Sequence, residues 1–166
     1  MILGMSAETY TLLHVLISLI AIGTGLVVMS GLLSGNRMDR LTSIFLTTTA
    51  LTSITGFGFP FERLLPAHIV GILSLLILAL AIPARYVFNF ARSWRWIYVV
   101  GASLALYFNV FVLVVQSFEK IPALKASAPT QKEPPFLVAQ LLVLLVFATL
   151  IVLATRRFHP ERVRAV

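Results

Sequence analysis

The chain has 166 residues, of which 59% are hydrophobic and only 11% charged. Soluble domains carry about a quarter charged residues, so that class is excluded. The absence of cysteine also excludes disulfides, thiolate metal sites and iron–sulfur clusters.

Five runs, of 28, 21, 21, 23 and 22 residues, contain no Asp, Glu, Lys or Arg. A bilayer-spanning helix needs roughly 20 mostly apolar residues. The expected fold is therefore all-α, a polytopic membrane bundle with a single domain over 1–166. Its five transmembrane helices fall at about 9–33, 39–60, 66–90, 94–118 and 136–156, with an outer loop at 119–135. The N-terminal MILGMSAETY lacks the basic segment that opens a secretory signal, so the first run reads as a retained helix.

Orientation follows from the basic residues. With the N-terminus outside, nine of the 13 fall in cytoplasmic segments: Arg37 and Arg40, then Arg85, Arg92 and Arg95, then Arg156, Arg157, Arg162 and Arg164. Short loops follow the positive-inside bias, which favours N-out/C-in in a bacterial-type inner (plasma) membrane. The net charge of +7 then reflects this bias and attraction to anionic lipid. Scattered over three segments, the basic residues argue against a nucleic-acid partner. The expected partners are the lipid bilayer and either further copies of this chain or a larger membrane complex.

The first helix carries His14, Ser18, Ala21 and Gly25 on one face. Small residues at this spacing let a neighbouring backbone or a flat ligand approach closely, and close packing is the simpler reading. Gly35 and Asn36 suit a left-handed cap. The second helix is rich in hydroxyls. Thr42, Thr49 and Thr52 lie roughly on one face and could line a polar path, although interhelical hydrogen bonding explains them as well.

Gly56 to Gly71 reads as a hairpin with Glu62 and Arg63 at its tip. Pro66, suited to a first helical turn, opens the third helix just before His68. Gly71 follows on the same side, and Pro83 is expected to kink or end the helix. Arg85, Arg92, Trp94, Arg95, Trp96 and Tyr98 read as a basic and aromatic belt that anchors helix ends. The fourth helix places Asn109 at mid-membrane, where an amide must face the interior, with Gln116 two turns on. Residues 121–126 suit a short surface helix in the proline-rich outer loop, and the fifth helix has one amide, Gln140.

One constellation could carry chemistry. His14 and His68 open helices that start on the same face, so their depths should agree to within about one turn at 1.5 Å per residue. Matched histidines on two helices are how b-type cytochromes hold haem b, and the pair could also hold a metal ion or a quinone head-group. Imidazoles lying at the interface or hydrogen-bonded within the bundle are nevertheless the simpler reading. The lining would be Ser18, Ala21, Gly25, Gly71, Asn109 and Gln116. The only other histidine, His159, lies beyond the last helix, which rules out a two-haem arrangement. Glu62, Arg63 and Glu119 form an outer polar cluster that reads as a solvated loop face. No phosphate loop, nucleophile elbow or dinucleotide fingerprint occurs.

The expectation is a non-enzymatic membrane subunit or binding protein, with electron transfer if the ligand is haem. The alternative is an oligomeric channel or transporter for a small solute, lined by Thr42, Thr49 and Thr52.

Overall fold

The computed structural model describes residues 4–59 and 66–160, which form six helices and no sheet. They are α1 (Ala7–Ser34), α2 (Asp39–Gly56), α3 (Pro66–Tyr86), α4 (Trp94–Lys120), α5 (Pro122–Ser127) and α6 (Pro134–Arg157). Four of them, α1, α3, α4 and α6, are long and apolar enough to cross a membrane. The sequence suggests five such helices. The difference lies in α2, which has 18 residues, Asp39 and Arg40 in its first turn, and eight Ser or Thr side chains. At 1.5 Å per residue it reaches about 27 Å, just short of a hydrocarbon core of about 30 Å.

The ends of the helices have local causes. The Ser6 side chain accepts from Thr9 N at 3.1 Å and caps α1. Gly35, at φ 77°, closes it in the left-handed conformation, with Asn36 N donating to Gly31 O at 2.8 Å. Met38 folds back over Gly31, where an added Cβ would lie 2.8 Å from its sulfur, so α1 and α2 form a tight hairpin. Helix α3 continues through Pro83 and stops at Tyr86, four residues before the expected end. Residues 87–93 then turn sharply, with Asn89, Phe90 and Arg92 all at positive φ and Phe90 N donating to Ala84 O at 3.0 Å.

Helix α4 is the centre of the bundle, packing on α1, α2, α3 and α6. Its inward face, Tyr98, Val99, Ala102, Ala105 and Leu106, meets Val28 and Leu32 of α1, Phe45 of α2 and Leu78 of α3 in one core. Close approach needs small residues here. A Cβ on Gly25 would stand 2.5 Å from Leu106 Cδ1 and 2.8 Å from Phe45 Cε2. Helix α2 lies between α1 and α3 and packs on both. Helix α6 buries only Phe147 and Ala154 and leaves Leu137, Leu141, Leu144 and Leu145 about half exposed, a face suited to lipid.

The two ends of the bundle hold different residues. One gathers Gly35 to Asp39, Arg85 to Arg95 and Arg157 to Phe158 through contacts among these segments. The other gathers Tyr10, His14, Thr55, Phe57, Phe59 and His68.

Candidate functional site

His14 sits two turns into α1, half-buried, with Nδ1 2.8 Å from the Thr55 hydroxyl of α2. That hydroxyl has one proton. It lies 2.7 Å from Leu51 O, one turn back in its own helix, and donates there. Towards His14 it can therefore only accept. The imidazole is thus assigned the Nδ1–H tautomer, and Nε2 keeps its lone pair. The ring stands edge-on to Phe59, with centroids 5.2 Å apart at 90°. Tyr10, one turn earlier on α1, donates from its phenol to Thr55 O at 2.7 Å. Its oxygen fills the space beside Gly58, where any Cβ would collide with it. The last turn of α2 is thus pinned to α1 at two points.

His68 lies on the other side of the same turn. It is buried, at 6% exposure, and its ring is 5.7 Å from that of Phe57. Gly71 makes this packing close, since a Cβ there would meet Phe57 Cε2 at 3.3 Å. Both imidazoles therefore reach the same end of the bundle, within one turn of α2. They pack on different residues of that turn, with α2 between their helices. A bis-imidazole haem needs both rings turned to one iron with the macrocycle between them. Among the described residues, no three His, Asp or Glu side chains cluster closely enough to hold a metal ion.

The expected lining is only partly assembled. Ala21 and Gly25 are buried, but Gly25 faces a crevice with Val28, Phe45, Ser103 and Leu106, three turns away from His14. Ser18 bonds back to His14 O at 2.7 Å. Asn109 turns inward and donates to Thr49 Oγ1 at 3.1 Å, whereas Gln116 is exposed on α4 and does not join it.

Thr42 and Thr49 are fully buried within the single chain, Thr42 donating to Arg37 O at 3.2 Å. Thr52 is half-buried and its hydroxyl has no partner among the described residues. The inward face of α2 runs Thr42, Phe45, Leu46, Thr49 and Ser53, so these hydroxyls serve the core of the bundle. Glu119 is exposed at the end of α4. Glu62 and Arg63 lie outside the described residues, as do Arg162 and Arg164.

A second constellation occupies the opposite end, where the sequence suggests only an anchoring belt. Arg85 is inside α3 with its side chain 2% exposed. Its Nη2 donates to Asp39 Oδ1 and, at 3.4 Å, to Arg37 O, while Nη1 donates to Tyr98 Oη at 3.3 Å. The rings of Tyr86, Phe90 and Tyr98 surround the guanidinium at 5.4 to 5.5 Å. Arg95 donates from Nη1 to Thr155 O at 2.9 Å and Phe158 O at 2.7 Å, capping α6. One signal was there to be read: Asp39 is the only aspartate in the chain and stands in an otherwise basic segment. A lone acid among arginines points to a partner.

Comparison with models of protein families, with curated proteins and with solved structures finds none that matches this chain.

Proposed function

We propose that this chain is a non-enzymatic subunit or binding protein of a bacterial inner membrane. It crosses that membrane five times, with its N-terminus outside. On this reading it holds a hydroxyl-bearing head-group of the quinol class near the outer face, between His14 and His68. The observation that carries the reading is the bond from His14 Nδ1 to Thr55 Oγ1. It fixes the ring and leaves Nε2 as an acceptor for a ligand hydroxyl, the usual way a second partner orients a working histidine. The buried imidazole of His68, on α3 and packed on Phe57 just past the end of α2, is the second polar side chain at this end.

Five crossings follow if α2 returns the chain so that α1 and α3 start at one end. A span a few Å short is accommodated by thinning of the bilayer. Arg37, Arg40, Arg85, Arg92, Arg95, Arg156 and Arg157 on one side support a cytoplasmic assignment of that side.

The test is purification of the full chain, followed by assay of extracted isoprenoid quinone, absorbance, and titration with a short-chain hydroquinone. Wild type is expected to bind. His14→Leu should weaken binding about tenfold, the worth of one hydrogen bond to a fixed group. Thr55→Val should weaken it less, by freeing the ring. No binding by folded wild type ends the proposal. A Soret band abolished by His14→Leu would replace the quinol with haem.

A further inference from the structure

At the basic end, two guanidiniums share one carboxylate oxygen. Arg85 Nη2 and Arg37 Nε, the latter at 3.5 Å, both approach Asp39 Oδ1. Both cations also stand over the face of Phe90, at 4.9 Å for Arg37 and 5.5 Å for Arg85. One negative charge therefore faces two positive ones, and the remaining bonds are long. Arg37 Nη2 reaches Asn89 Oδ1 at 3.4 Å, and buried Arg37 Nε makes no hydrogen bond. The carboxylate is open, with the Asp39 side chain 68% exposed, so an anion with more oxygens to offer the two guanidiniums can compete with it.

A second feature converges on the same place. Helix α2 starts here with Met38 at its cap, in the left-handed conformation at φ 44° and with no side-chain cap bond. The first N–H groups of an uncapped helix favour negative charge. Tyr86 and Trp96 are half exposed nearby, and Phe88 stacks on Trp94 at 3.8 Å, a composition typical of head-group depth.

We propose that Arg37 and Arg85, with the start of α2, form a site for a phosphate oxyanion, supplied by the head-group of an anionic lipid in the adjoining leaflet. The phosphate takes the fork of Arg37, Arg85 Nη2 and the free donors of α2 in place of the Asp39 carboxylate, which swings out towards solvent. Guanidinium suits this role because its planar donors match two phosphate oxygens at once.

The experiment measures thermal unfolding and bound lipid by native mass spectrometry for the full chain. The conditions are discs of phosphatidylcholine alone, of phosphatidylcholine with phosphatidylglycerol, and of phosphatidylcholine with inorganic phosphate added. Phosphatidylglycerol is expected to raise the unfolding midpoint of wild type and to remain bound. Arg37→Gln should need about tenfold more of it for the same rise, one charge-assisted bond being lost. Arg37→Lys should fall between, and replaces Arg37→Gln if that variant does not fold. Asp39→Asn should need less of it, because the competing carboxylate is gone. Arg156→Gln, which changes net charge equally, should respond as wild type.

A rise with inorganic phosphate equal to that with lipid keeps the anion site and overturns the lipid as its source. Equal midpoints in all three conditions, or an Arg37→Gln response matching wild type, overturn the site itself.

Discussion

At the basic end, α2 and α3 meet through a buried guanidinium, a carboxylate and three aromatic rings. At the opposite end, α1 and α2 meet through neutral hydrogen bonds from Tyr10 and His14 to a single threonine. The first arrangement places charge where water is scarce, which is costly unless the partners stay together. The second is worth less per contact but leaves a ring nitrogen with a lone pair. The charged end thus gains rigidity from a buried ion pair, whereas the neutral end is held by weaker hydrogen bonds around an imidazole. On the readings proposed above, an anion occupies the first and a neutral head-group the second.

The largest expected effect comes from separating the charges. Asp39→Ala leaves Arg85 buried without an anion. In neutral detergent it should cost about 2 kcal/mol, below the cost for a fully enclosed pair because Asp39 itself is exposed. Chemical denaturation of the purified chain reads this, and an unchanged midpoint would place the strength of this end in the aromatic rings alone.

Next comes the core that joins both ends. Gly25→Val drives a branched side chain into Leu106 and Phe45. It should destabilise by about 2 kcal/mol through overpacking, whatever ligand is present at either end. A smaller effect is expected at the neutral end. Tyr10→Phe removes the bond to Thr55 O and should cost about 1 kcal/mol. If it costs as much as Asp39→Ala, the two ends are not energetically distinct.

The smallest effect concerns Glu133, which precedes α6. Desolvation, the largest single influence, acts to raise its carboxyl. Hydrogen bonds from Thr130 Oγ1 and from the backbone N–H groups of Thr130 and Lys132 outweigh this and hold it below the usual carboxylate range. A lowered folded value means that the carboxylate contributes stability above its unfolded value, near 4.5, and loses it as pH falls through the folded one. The protection of the Thr130 amide against exchange, measured relative to the unstructured rate at each pH, should fall as the pH drops below that value, and Glu133→Gln should abolish the dependence.

Charge-free runs and hydroxyl content, both local properties, made the helices legible without coordinates. Pro66 and Gly35 marked their boundaries because each residue type is restricted or freed at φ in a way that neighbours cannot change. The stop at Tyr86 was hidden. It depends on Phe90 turning back to bond Ala84 and bury its ring against Tyr98 and Phe158, contacts no local window contains. Likewise Gln116 shares a helix with Asn109 but not its surroundings, because α2 offers Thr49 to one and nothing to the other.

Composition alone determined that this chain is helical and suited to a bilayer, since an apolar backbone must satisfy its own hydrogen bonds there. The order of the helices also puts His14 and His68 at one end, because α2 runs back between α1 and α3. Only the tertiary structure decided that Thr55 orients His14 and that Arg85 is enclosed instead of anchoring a helix end. Those outcomes depend on which helices are neighbours, and α2 reaches both sites because it packs between α1 and α3.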